Sequence, residues 1–582
     1  MAFGLPTRCV ARQRLLFLEA RALRAPLLDD HRGKPNAAEL DYGVDDRPSG
    51  DETPWPDSMD VGLIPGDVVA SDSRAPDSSA PDSSVDLPRD TTAPDSSVDL
   101  PRDTTAPDSS VDSMVPDSAM DSVPPILDGC VPSCVTKLCG MDDGCGGLCE
   151  SGCATTLTHG WSISIGAGTH DYGNAVVVDS SGNVTVVGDF YNTINCGGSD
   201  LTSAGSADFF VASFTSAGAH RWSKRFGGSS YDSGHALAVD GNGALTVVGS
   251  IGGTVDLGGG AFTMANSDGF AMSLSSTGAY RWSRQLGSDE GSDSAFGVET
   301  GPDGSVMIVG HFFDNVNMGG ALLRGGGGQD VWLASFSESG AHNWSRAFPG
   351  SGNDYGRDVA VDSSGIVTIT GTMEAAVDFG GGLLAFDKNR DVFIASYTPS
   401  GAHRWSKSYG GGGVDDGRSI AVDAEGNLSV TGLFESTAVF GGVALRSAGD
   451  FDIFVASYTS TGEHRWSRGM GAKTVDQGRF LTVDADGNVT VVGSFEGSVD
   501  FGAGSRASAG LEDIFVATYS PSGVHLWSQV FGAAGDDRGY GVTNAGQGKV
   551  ALIGSFSNVV DFGGGGLTST GFLDVFVAQL GP

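Results

Sequence analysis

Carboxylates at a fixed interval are the first residues in this chain whose type and spacing could do chemistry. Asp171, Asp232, Asp293, Asp354, Asp415, Asp476 and Asp537 recur every 61 residues, each just before a short apolar run. Gathered around one mouth, such a series could attract a hard cation such as calcium, which takes oxygen ligands. The bland alternative is that each carboxylate accepts backbone N–H groups in its own turn. A related set, Asp256, Asp378, Asp500 and Asp561, opens Gly-rich D-F-G-G-G-like loops, but Asn195, Asn317 and Val439 take the slot in other repeats. A Val cannot ligate a cation, so a metal role shared by this second set is disfavoured.

Histidines form another series. His159, His220, His342, His403, His464 and His525 each stand two residues before a Trp, and Tyr280 fills that slot once. One ring per repeat keeps them apart, so they are expected to pack at an edge rather than ligate a metal. The tryptophans that follow, Trp161, Trp222, Trp282, Trp344, Trp405, Trp466 and Trp527, are expected to bury apolar area, roughly 2–3 kcal/mol each; carbohydrate stacking is the functional alternative. Trp332 replaces a Phe and is expected to fill the same core slot.

Six cysteines, Cys130, Cys134, Cys139, Cys145, Cys149 and Cys153, fall within 24 residues. Almost nothing apolar accompanies them, so cross-links must hold this piece together. Zinc is the rival, but the piece has no C-x-x-C pair and no His. Three disulfides are expected, in an oxidising compartment, with the pairing open among 15 possibilities. No nucleophile elbow, zinc-protease helix motif or phosphate loop occurs elsewhere. The chain is therefore not expected to be an enzyme, and no cofactor is expected beyond that calcium.

The elements that must position these residues come from repetition. The Trp series, the 61-spaced Asp series and a third series, Asp208, Asp268, Asp330, Asp391, Asp452, Asp513 and Asp574, agree on seven units of about 61 residues. Each unit reads as four short strands. In the fifth full unit these are 419–423, 427–432, 452–458 and 463–469, rich in Val, Ile, Phe and Tyr and bounded by Gly, Asp and Asn. The third is apolar almost throughout, which implies burial on both faces. The repeat region starts with a lone Trp strand, 159–166, and ends with only three strands. Pairing that strand into the last unit closes a ring and leaves no open edge. The expected fold is an all-β, seven-bladed β-propeller of four-stranded blades over 155–582.

Ahead of it, the sequence divides into an N-terminal segment (1–38), a Pro/Ser/Asp-rich linker (39–129) and the Cys-rich module (130–153). The linker repeats APDSSVDLPRDTT in tandem and is too polar and charged to fold, so it is expected to be a disordered stalk or an inert tail. The stretch LLFLEARALRAPLL is broken by Glu19, Arg21 and Arg24 and does not read as a secretory signal. Either export uses another route or the true start lies elsewhere; the second is preferred.

The pattern GxHxWSxxFGG…DxGxxxAVDxxGNxxVxGxF…DFGGG…DxFVA resembles the SBBP β-propeller repeat family over 159–582. The Cys-rich module is similar to small spacers of bacterial surface proteins. The resemblance implies a bacterial secreted or surface protein and little chemistry.

Charge narrows the partners. The 582 residues carry a formal charge of −38, of which residues 154–582 hold −22. An acidic body repels phosphate backbones, so nucleic acid is not expected, and no apolar run is long enough for a transmembrane helix. The expected function is a stalked, monomeric, cell-surface or extracellular binding protein that recognises a protein or glycan through its loop-rich face. A ligand-free coat protein and a polysaccharide lyase or hydrolase are the alternatives. Irregular residues on that face, His311, Phe313, Asp314, Arg324, Glu374, Lys388 and Arg390, are the candidate ligand contacts, with His311, Arg324, Lys388 and Arg390 foremost.

Overall fold

The structure, a computed structural model, describes residues 156–288 and 291–582. Residues 1–38, the linker 39–129 and the Cys-rich module 130–153 lie outside the described residues, so the disulfide and linker expectations are not addressed by it. Every regular element among the described residues is a β-strand.

The fifth unit shows the pattern. Asp415–Val422, Leu428–Val439, Leu445–Tyr458 and His464–Met470 pair antiparallel in chain order. Its third strand ends in a seven-residue stretch, Asp452–Tyr458, that is buried at every position. Side chains pointing to opposite faces are both covered because each sheet packs against a sheet on either side. Thus Val187, Phe209 and Val211 share one core with Val247, Ile251 and Phe270 of the next unit. The first strands Tyr172–Val178, Ser233–Val239, Ser294–Thr300, Tyr355–Val361, Asp415–Val422, Gln477–Val483 and Asp537–Asn544 pack one on the next, and the last packs on the first. The result is an all-β, propeller-like arrangement with these strands innermost.

Closure is made by non-sequential strands. Thr158–Ile165 pairs antiparallel with Asp574–Gly581, with Ile163 opposite Val577. The final sheet therefore takes its outer strand from the start of the repeat region.

Two departures from the expected strands have local causes. In the fifth unit the second and third strands run on past 432 and begin before 452, because Thr437 pairs with Arg446 and Ala438 with Leu445 in a hairpin beyond the sheet. The first strand starts at Asp415 rather than 419, ahead of a bulge between Gly417 and Ser419. The same bulge follows the D-x-G segment in the other units, as between Gly356 and Asp358.

Units are locked together by the tryptophans. Trp405 lies beneath the hairpin of the next unit, where Gly462 has φ +78°; a Cβ there would meet the indole at 2.9 Å. Both the backbone angle and the close approach require Gly. The indole N–H of Trp405 donates to the Ser460 carbonyl at 3.1 Å.

Candidate functional site

The 61-spaced aspartates sit where the outer strand of one sheet turns into the innermost strand of the next, and all are fully buried. Their carboxylates tie two loops together. Asp171 accepts N–H groups from Ala167, four residues earlier, and Tyr191, twenty residues later. Asp232 does the same with Gly228 and Gly252, and Asp537 with Ala533 and Ser557. Each also lies beside a carboxylate of the third Asp series. Burial, opposed by the backbone N–H groups and reinforced by that neighbour, pushes Asp171 up to about 7. Burial likewise raises Asp415 to about 8, with Asp391 adding to the effect. Among the described residues, no three or more His, Cys, Asp or Glu side chains come together as a metal site would need.

The histidine series packs as edge rings. The ring of His220 contacts Ser223 Oγ at 3.1 Å, and His464 contacts Ser467 in the same way. Tyr280 reproduces this with Ser283 at 3.2 Å. Trp332 is fully buried and donates to the His311 carbonyl at 3.1 Å.

A different set of residues meets at the inner strands. Three places after each 61-spaced Asp, just at the bulge, the repeat reads Asn174, His235, Phe296, Arg357, Arg418, Arg479 and Tyr540. One backbone position thus holds amide, imidazole, phenyl, guanidinium and phenol groups in successive units. Several of them touch along the ring. His235 stacks on Phe296 at 4.4 Å. The guanidinium of Arg357 lies 5.3 Å from the Phe296 centroid and 5.0 Å from that of Tyr355. Arg418 donates to Gln477 Oε1 at 2.7 Å, and Arg479 lies 4.7 Å over Tyr540. Asp416 faces both Arg418, at 3.3 Å, and Arg357, at 3.9 Å. Although burial opposes ionisation, Arg357 and Arg418 hold the Asp416 carboxyl below its usual range.

Two of the four foremost candidates join this cluster. His311 is buried, stacks on Phe296 at 5.1 Å and meets Tyr355 edge-on at 4.9 Å. Burial, with Arg357 and His235 nearby, holds its imidazole well below 6.5 and therefore neutral at pH 7. Arg390 donates to Glu374 at 2.6 Å and lies 5.8 Å over the Tyr355 ring. Arg324 is instead in the outer hairpin opposite Asn315, and Lys388 sits exposed at φ +80°. The residues that reading by motif missed are Phe296, Tyr355, Arg357, Asp416, Arg418 and Arg479. Their signal was available: within a strict repeat, one column refuses to repeat.

Sheet order and inner ring together define an all-β, propeller-like protein of repeated four-stranded sheets. No family model matches the sequence. An uncharacterised WD repeat-containing protein of Acanthamoeba polyphaga mimivirus is 25% identical over 173 residues, covering 26% of this chain and 12% of that protein. The chain thus spans about an eighth of that relative's length. The WD40 domain of Neurospora crassa Pan2 is 9% identical, with 73% of this chain and 95% of that one covered at a TM-score of 0.37. YCF48 bound to a D1 peptide is 10% identical, covering 73% and 97% at 0.32. A gluconolactonase from Xanthomonas campestris is 11% identical, covering 58% and 90% at 0.27. These similar proteins differ among themselves in function, and at such scores none lends its activity to this chain.

Proposed function

We propose that this chain is a secreted or cell-surface protein whose repeat region is a seven-bladed propeller of SBBP-type units, and that it binds a protein or glycan through its loop-rich face. Recognition, not catalysis, is its task. The observation that supports this most is the column of unlike residues at the inner strands. Selection for folding alone favours one best residue at a repeated position, as at the buried Asp and Trp. A position that holds His, Phe, Arg and Tyr in turn is under a different demand, and rigid scaffolds carry binding groups in this way. Extracellular placement draws on the six clustered cysteines and the extended linker.

The test is an array of surface glycans and surface proteins probed with the full chain. Binding to at least one array member is expected, and it should be lost when Tyr355→Ser and Arg390→Ser are combined. Absence of binding, or binding untouched by the pair, would favour a coat protein without a ligand. That second reading draws on the uniform outer loops: the carboxylates of Asp256, Asp378, Asp500 and Asp561 each accept the N–H groups two and four residues on.

A further inference from the structure

Arg357 stands apart from the cationic side chains around it. Its side chain is only 8% exposed. Arg390 donates to Glu374, and Arg418 to Asp416 and Gln477. Arg357 makes no hydrogen bond with the described residues; its Nε is buried without a partner. Asp416, the carboxylate that Arg357 faces at 3.9 Å, lies closer to Arg418 and also accepts from Thr372 Oγ1. A guanidinium has five donors in a fixed fork, and buried donors without acceptors are costly. Here the fork is held between Phe296 and Tyr355, which fix its plane without using its N–H groups.

Such a group is built to take a carboxylate in two parallel hydrogen bonds. We propose that the mouth of the inner strands binds a glycan through a sugar carboxylate, with Arg357 as its anchor. This rests on the loop-rich face being a recognition surface and names the ligand class that surface takes. Arg357, Arg418 and Asp416 are all nearly buried, so a flat protein face would not reach the fork. A terminal sugar reaches in where a folded surface cannot. The surrounding chain is acidic, at −22 over residues 154–582, so an anionic glycan must be held by the local guanidinium fork rather than drawn in by net charge. The neutral imidazole of His311 and the phenol of Tyr355 stand beside Arg357 to meet sugar hydroxyls.

Calorimetry on the full chain tests this with trigalacturonate, the neutral trigalactoside and triglycine, whose terminal carboxylate is not on a sugar. Trigalacturonate is expected to bind, and the other two at least about tenfold more weakly. Arg357→Gln should weaken trigalacturonate about thirtyfold or more, as loss of one partner of a buried charged pair does. Arg357→Lys keeps the charge and the fold while losing the fork, and should weaken it about tenfold. Unchanged melting temperatures will show that both variants are folded. Equal binding of triglycine, or trigalacturonate binding indifferent to both variants, overturns the ligand class. If none of the three binds while the arrays still yield a ligand sensitive to Tyr355 and Arg390, the anchor is wrong and the recognition face stands.

Discussion

Identical residues at repeated positions need not be equivalent, and the tryptophans show why. Trp161, Trp222, Trp282, Trp344, Trp405 and Trp466 each donate from Nε1 to a hairpin carbonyl of the next unit, at 2.9–3.1 Å. Trp527 is just as conventional in sequence, yet its Nε1 is buried with no hydrogen-bond partner among the described residues. The hairpin that should cover it would join Asp574–Gly581 to Thr158–Ile165, and those strands are not consecutive in the chain. A cavity of about 800 Å3, lined by Trp527, Asn544, Lys549 and Pro582, opens there instead. Replacing Trp466 by Phe removes a made hydrogen bond, whereas replacing Trp527 by Phe removes an unmade one. The first variant should therefore be the less stable, by about 1 kcal/mol in urea denaturation. Equal losses would mean that ring volume alone matters at both positions. No feature of the sequence around Trp527 announces this, because the cause is the place where the ring is cut.

Strands and their order were legible for a comparable reason: each is written many times. The D-x-[FW] segments predicted strands buried on both faces, and Asp208–Phe214, Asp391–Tyr397 and Asp513–Tyr519 are buried at every residue. What repetition hid was the site. Averaging over units made Gly, Asp and Trp stand out and turned the Asn174-to-Tyr540 column into noise, although that column holds the unlike chemistry. Arg324 and Lys388 were conspicuous as isolated charges in loops and belong to no cluster with His311 and Arg390. Closure offers the sharpest test at this scale. Ile163 lies in the middle of the Thr158–Ile165 strand, opposite Val577. Ile163→Asp sets a carboxylate against the core that Ile165, Val575 and Val577 share, where an unpaired charge is costly to bury. It should lower the melting temperature by roughly 5 °C or more, given about 2–4 °C per kcal/mol in large domains. An unaltered melt would mean that the fold does not depend on this strand for its closure.

Across the whole molecule, the buried aspartates act together because the repeat installs the same strained ionisation in every unit. Burial is the dominant cause throughout, and it raises Asp171, Asp293, Asp354, Asp476 and Asp537 to about 7, Asp232 to about 6 and Asp415 to about 8. In the unfolded chain the same groups return to about 3.9. Between those values the folded state holds more protons than the unfolded state, so stability falls as pH rises. The contribution is fully present below about pH 4, is withdrawn progressively as pH rises from there through the folded values of about 6 to 8, and is gone above them. Asp416, held low by Arg357 and Arg418, acts below this range. Within it His311, His342, His403, His464 and His525, lowered by burial, work in the opposite sense. They are outnumbered by the seven aspartates together with Glu299, Asp358 and Asp452, which burial also raises. The protein should consequently melt several degrees higher at pH 5 than at pH 8 in the same buffer ionic strength. Most acidic proteins lose stability towards low pH as paired carboxylates are protonated, so the sign is diagnostic. A melting temperature that climbs from pH 5 to pH 8 would show that the aspartates are ionised in place, their charge carried by the backbone N–H groups at each end of the carboxylate. The loop ties at Ala167 and Tyr191, and their equivalents in the other units, would then hold charged clasps rather than protonated ones.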